Sequence, residues 1–246
     1  MLKYPVTVVV CLGLIAAAVA WGRWLRERDG SPGGWRERRL RGTLAWGTIG
    51  VWVVMNIWYI ANRGLEESLP LHICDLAAVI GPIGLLSRSR LLRSVLYFWG
   101  LALTTQGFAT PVLNVGPGHM TYWLFWANHT IVVGLAVYDI VVGGYRPYPR
   151  DLGRVVGVTA GWLALVFTIN YFTGWNYGYV GRAEPGAETI VQALGPWPLR
   201  VVWMALLALA AFGLAYLPWV VARRAARGGG AGGGAETSNR HMRAGR

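Results

Sequence analysis

In the stretch LPLHICDLAA, residues 69–78, a histidine, a cysteine and an aspartate fall within four positions of an apolar run. A thiolate attacks acyl carbons, an imidazole moves protons near neutral pH, and a carboxylate can orient or accept. His72 and Asp75 lie one turn apart on one helical face and could pair. Cys74 points about 200° away from His72 on a helix, so a base for it must come from another segment. His129, deep in a later apolar run beside Asn128, is the candidate, with Tyr122 and Trp126 on its face as an aromatic wall. Each residue also has a structural role open to it. His72 can cap its loop, Asp75 can sit at the positive end of a helix that starts after Pro70, and Cys74 can pack as a small hydrophobe, as Cys11 is expected to. A Cys11–Cys74 disulfide is open too, since both lie in the same half of the membrane. The tight ligand pairs of a metal centre are missing around His72, Cys74, Asp75 and His129, so neither metal nor other cofactor is expected.

The segments that must position these groups are apolar. Of 246 residues 54% are hydrophobic, mean hydropathy is +0.40, and there are 14 tryptophans. Such a composition belongs to a bilayer protein. Seven stretches can span roughly 30 Å of hydrocarbon as helices. They are about 5–22, 43–61, 71–87, 93–110, 121–142, 153–173 and 199–222. They do not alternate as barrel strands do. The expectation is an all-α polytopic membrane protein, one bundle of about seven transmembrane helices over 1–227. The glycine-rich tail 228–246 is too polar to fold alone.

Of the 23 basic residues, 19 fall in the loops after the first, third and fifth spans and in the tail. The positive-inside rule then puts the N-terminus outside and the C-terminus in the cytoplasm. The net charge of +12 is thereby accounted for by orientation and by anionic lipid headgroups at the cytoplasmic face, with no nucleic-acid partner expected. Lys3, an apolar core and Ala18-Val19-Ala20 resemble a cleaved signal, but cleavage would strand seven arginines outside, so a retained helix is expected. Arginine-heavy usage (22 Arg, one Lys) suits a GC-rich bacterium and hence its plasma membrane.

With that topology the polar intramembrane residues share one depth. Asn56 ends span 2, His72, Cys74 and Asp75 open span 3, and Thr104, Thr105 and Gln106 lie near the outer end of span 4. Asn128 and His129 lie about 12 Å into span 5, and Asn170 and Tyr171 close span 6. The inner half is nearly bare apart from Asp139. Polar groups in lipid usually face a bundle interior or a wet cavity, and their clustering predicts a pocket opening outward. Loops 110–121, 174–188 (with Asn176) and 194–200, rich in Gly, Pro and aromatics, form an interfacial belt and could lid that pocket.

Six segments occur in order: HICDLA (72–77), TQGFATPVL (105–113), ANHTIVV (127–133), YRPYP (145–149), NYFTGWNYGYV (170–180) and LGPWP (194–198). Together they resemble the YwaF-like bacterial integral-membrane family, related to the vertebrate transmembrane-protein-164 group, over about residues 45–215. The resemblance implies cysteine-dependent acyl transfer between phospholipids and lysophospholipids. Cys74 would be the nucleophile, matching the family cysteine, and His129 the base and then the acid. Gln106, Asn128 or Asn170 would polarise the carbonyl, with His72, Asp75, Tyr171 and Asn176 as further substrate contacts. The alternative is a polytopic binding or transport protein with an outward polar pocket for a small solute or lipid. Oligomeric state is left open.

Overall fold

The computed structural model describes residues 4–30, 33–182 and 193–243. The chain runs through α1 (Pro5–Arg28), α2 (Trp35–Asn62), the short α3 (Leu65–Ser68) and α4 (Ile73–Ser87). Next, α5 (Arg90–Phe98) passes through a π-helical segment (Trp99–Thr104) into α6 (Gln106–Ala109). Then come α7 (Met120–Val141), α8 (Pro149–Thr173), a 3-10 turn at Tyr177–Tyr179, and α9 (Leu199–Arg243). Each expected span has its helix, and no strand occurs among the described residues. Five of them (α1, α2, α7, α8 and the Leu199–Ala226 part of α9) are long and apolar enough to cross a membrane. The 15-residue α4 and the composite α5–π–α6 segment complete a seven-helix bundle. The backbone of α9 stays helical to Arg243, past the point where glycine-rich composition predicts that a fold ends.

Helix boundaries follow local chemistry. Pro5 and Pro149 occupy first turns, where a missing N–H costs nothing. Asp151 on the first turn of α8 accepts the Tyr148 N–H at 2.7 Å. Gly174 ends α8 in the left-handed region at φ +81 and donates its N–H to Asn170 O at 3.0 Å.

At the centre, α4 packs against α2, α5 and α7, and α5 against α8. Gly84 lets α4 close on α5, because a Cβ there would sit 3.2 Å from the Leu92 backbone. Ala77 and Ala78 of α4 join Phe98, Trp99, Val132 and Phe212 in the core. The outer faces keep large apolar residues exposed, among them Val54, Ile57, Phe172 and Leu214, as surfaces turned to lipid do.

The arginine-rich end of the bundle holds more buried polar groups than Asp139, the one that the sequence singled out there. Arg93 donates to both carboxylate oxygens of Asp139 at 2.8 Å and to Gly143 O at 3.2 Å. Arg41 pairs with Glu37 at 2.8 Å, and the Tyr138 hydroxyl donates to Glu37 at 3.3 Å. Arg90 pairs with Asp151, and the Tyr145 hydroxyl donates to Ser94 at 2.8 Å. Glu37, Asp139, Asp151 and Ser94 are all buried. Read as loop charges, Arg41 and Arg93 in fact turn inward, and each brings an acid because an unpaired charge would be costly there, while Arg90 stays exposed and reaches in to the buried Asp151.

Candidate functional site

The chain enters α4 along an extended stretch pinned from two sides. Trp162 donates its indole N–H to Leu71 O at 3.0 Å, and the Leu69 N–H donates to the Tyr177 hydroxyl at 3.2 Å. His72 is the N-cap residue, with β-region backbone. Its Nδ1 accepts the Gly178 N–H at 3.3 Å, and its ring lies against Tyr177 and Tyr179 at 5.2 and 5.7 Å between centroids. Since Nδ1 accepts, the neutral ring carries its hydrogen on Nε2 and presents a donor there.

Cys74 follows on the first turn of α4, half-buried and free. Its thiol donates a long hydrogen bond to Asp75 Oδ1 at 3.8 Å. The same oxygen accepts from Asn128 Nδ2 at 2.8 Å, joining α4 to α7. Asn128 Oδ1 is buried with no hydrogen-bond partner among the described residues. Tyr179 closes the other side, and its phenol is pushed up to about 12, first by burial and then by the charges of Cys74 and Asp75.

His129 lies one residue along α7, buried. Its Nδ1–H donates to Phe125 O at 2.9 Å, its ring stacks on Phe125 at 4.0 Å, and Phe108 meets it edge-on at 6.5 Å. With Nδ1 donating, Nε2 keeps its lone pair, the form a general base needs. The two histidines therefore hold opposite tautomers. The Nε2 edge of His129 rests on Gly107, where any Cβ would run into the ring. Gly107→Ala is thus expected to displace His129 and to destabilise the fold by about 1–3 kcal/mol through overpacking. An unchanged thermal midpoint would contradict this packing.

The remaining sequence candidates are placed differently. Asn170 is buried, and both ends of its amide serve Tyr177: Nδ2 donates to the carbonyl at 2.8 Å and Oδ1 accepts the N–H at 3.0 Å. Asn176 Oδ1 accepts the Gly181 N–H at 3.0 Å. Both hold the 175–181 loop against His72. Tyr171 is exposed beside Trp197. Gln106 is exposed at the start of α6, just after the π segment, which breaks the α-helical phase on which face predictions depend. Cys11 is buried among Val8, Ile15 and Phe108 and is unpaired, so the disulfide left open by the sequence is not formed. No group of three or more His, Cys, Asp or Glu stands in metal-binding range among the described residues. Gly178 was not singled out in the sequence, yet it has φ +62 and a Cβ there would strike Trp162. The signal lay in NYGYV, a glycine between two ring-bearing residues. Gly178→Ala is expected to cost about 1–2 kcal/mol from the left-handed backbone alone and to release the loop from His72. Faster amide exchange of residues 177–181 would report it, and unchanged exchange would refute it.

These features define a polytopic α-helical membrane protein with a thiol, a carboxylate and two histidines gathered near one end of its bundle. The chain belongs to the TMEM164 family, whose family model matches residues 1–216. That match begins at the first helix and so reaches beyond the segments 45–215 that carried the sequence resemblance. No curated protein and no solved structure matches the chain.

Proposed function

We propose that this TMEM164-family protein is a cysteine-dependent acyltransferase that moves a fatty acyl chain between phospholipids within the membrane. What carries the reading is a free thiol on the first turn of α4, linked through Asp75 to Asn128 beside His129, with two histidines of opposite tautomer on the segments that meet there. His129 offers a lone pair at Nε2 and His72 offers an N–H. The positive end of α4 acts on Cys74 alongside the Asp75 carboxylate, which accepts its S–H and holds the sulfur as a thiol until a base takes the proton.

In the first half-reaction the Cys74 proton passes to His129 Nε2 and the sulfur attacks the donor ester carbonyl. The C–S bond forms, and the His72 N–H steadies the oxyanion. When the C–O bond breaks, the lysolipid leaves with the proton returned by His129. In the second half, His129 takes the proton of an acceptor lysolipid hydroxyl, whose oxygen attacks the thioester and releases the thiolate. Asn128 Oδ1, buried and unpartnered, is an acceptor suited to orient that hydroxyl. Phospholipids and lysophospholipids are the partners this chemistry requires. On this reading the reaction runs toward the outer leaflet of a bacterial plasma membrane, as the arginine distribution suggests.

The test is the intact mass of the purified protein after incubation with phospholipid. The native chain should gain one acyl mass that hydroxylamine removes, and Cys74→Ser should lose the adduct or hold it as a hydroxylamine-stable ester. An accessible, reduced Cys74 that acquires no acyl group from any phospholipid class would overturn the proposal.

A further inference from the structure

At the arginine-rich end, a groove of about 630 Å³ lies between the end of α1 and the end of α7. Arg23, Arg26, Glu27, Ile140, Val141 and Arg146 line it. Arg41, Arg90 and Arg93 each face a carboxylate, but the arginines of the groove do not. Arg26 donates to Val142 O at 2.8 Å. Arg146 donates to Ile140 O at 2.7 Å and to Tyr145 O at 2.8 Å. Backbone carbonyls thus fix both guanidinium groups in place without neutralising them, and in each a single nitrogen is used. Arg23 is exposed and has no ion-pair partner among the described residues. Glu27 offsets one of these charges, and the groove stays positive by two.

A second groove of about 420 Å³ shares Arg23 and Glu27 and continues along α1 past Ala16, Val19, Ala20 and Trp24. A basic mouth at the end of an apolar span, opening onto a shallow groove along α1 lined by Ala16, Val19, Ala20 and Trp24, has the polarity profile of an amphiphile. A free phosphate ester would use the mouth alone. We propose that this double groove binds an anionic phospholipid, its phosphodiester on Arg23, Arg26 and Arg146 and an acyl chain along Ala16, Val19 and Ala20. The site stands apart from Cys74, at the opposite end of α4, and is independent of the acyl-transfer reading.

Native mass spectrometry of the full chain in detergent, offered equal amounts of phosphatidylglycerol and phosphatidylcholine of one chain length, tests it. Preferential retention of phosphatidylglycerol is expected. Arg23→Gln/Arg146→Gln should weaken that retention roughly 25-fold, at about one-fifth of the affinity kept per charge lost. Arg38→Gln/Arg39→Gln, an equal charge change outside the groove, should leave it unaltered. If the first pair fails to fold, Arg23→Gln alone, a residue without a structural bond, should still lose about fivefold. Equal retention of the two lipids, equal effects of the two variant pairs, or displacement of the lipid by an equal concentration of glycerol phosphate would each overturn the proposal.

Discussion

Replacing His129 with alanine is expected to slow acyl exchange by about 10²–10⁴-fold while leaving lipid binding nearly unchanged. The expectation rests on one bond. Phe125 O holds Nδ1–H at 2.9 Å, and stacking on Phe125 prevents the ring from turning, so the lone pair at Nε2 is fixed in direction. Cys74→Ala should abolish exchange, because no other free thiol lies near. Cys11 is buried among apolar side chains of α1 and α6. Adding His129→Ala to Cys74→Ala should make nothing worse, since a base has no task without its nucleophile. The check is transfer of a labelled acyl chain to a lysolipid in vesicles. A His129→Ala protein that keeps a third of the native rate would remove the residue from the mechanism.

Asp139→Asn should have the largest effect on stability. Arg93 gives three N–H groups to Asp139 and Gly143, and its side chain is only 14% exposed, so solvent screens the pair little. Removing the carboxylate charge leaves the guanidinium buried without its counter-ion, at a cost of about 3–5 kcal/mol. The double variant Arg93→Met/Asp139→Leu should recover most of that loss, because apolar side chains of similar size avoid the desolvation problem. Denaturation midpoints of the two variants decide the matter. Equal midpoints would mean that the ion pair contributes no more than its volume.

The two polar ends of the bundle differed in how far the sequence revealed them. The helices were legible because runs such as VVWMALLALAAFGLAYL have no period but a bilayer-scale length, and Pro70 marks the approach to α4. Cys74, Asp75, His72 and Asn128 were legible as a set because polar residues inside spans are rare. Their bonding was not, since Asn128 and Asp75 stand 53 positions apart and only the fold brings them together. Arg93 misled for a related reason. A count of arginines per loop treats each as a surface charge, whereas its partner Asp139 lies 46 positions away on α7. Asn170 misled in the opposite sense. Its position beside the site suggested a catalytic amide, but a glycine-rich turn without regular hydrogen bonding needed both its donor and its acceptor.

The 15 residues of α4 reach about 22 Å, while the hydrocarbon layer is about 30 Å deep. With Arg88 held at the charged rim, the other tip of α4 stops some 8 Å short of the opposite surface. On that geometry Cys74 sits at a fixed altitude, about 8 Å below the glycerol esters at the edge of the hydrocarbon layer. Such a short helix works as a ruler. A thicker bilayer lifts the ester carbonyls away from the sulfur, and a thinner one lowers them toward it, so on the proposed acyl transfer membrane thickness itself would set how fast Cys74 is acylated.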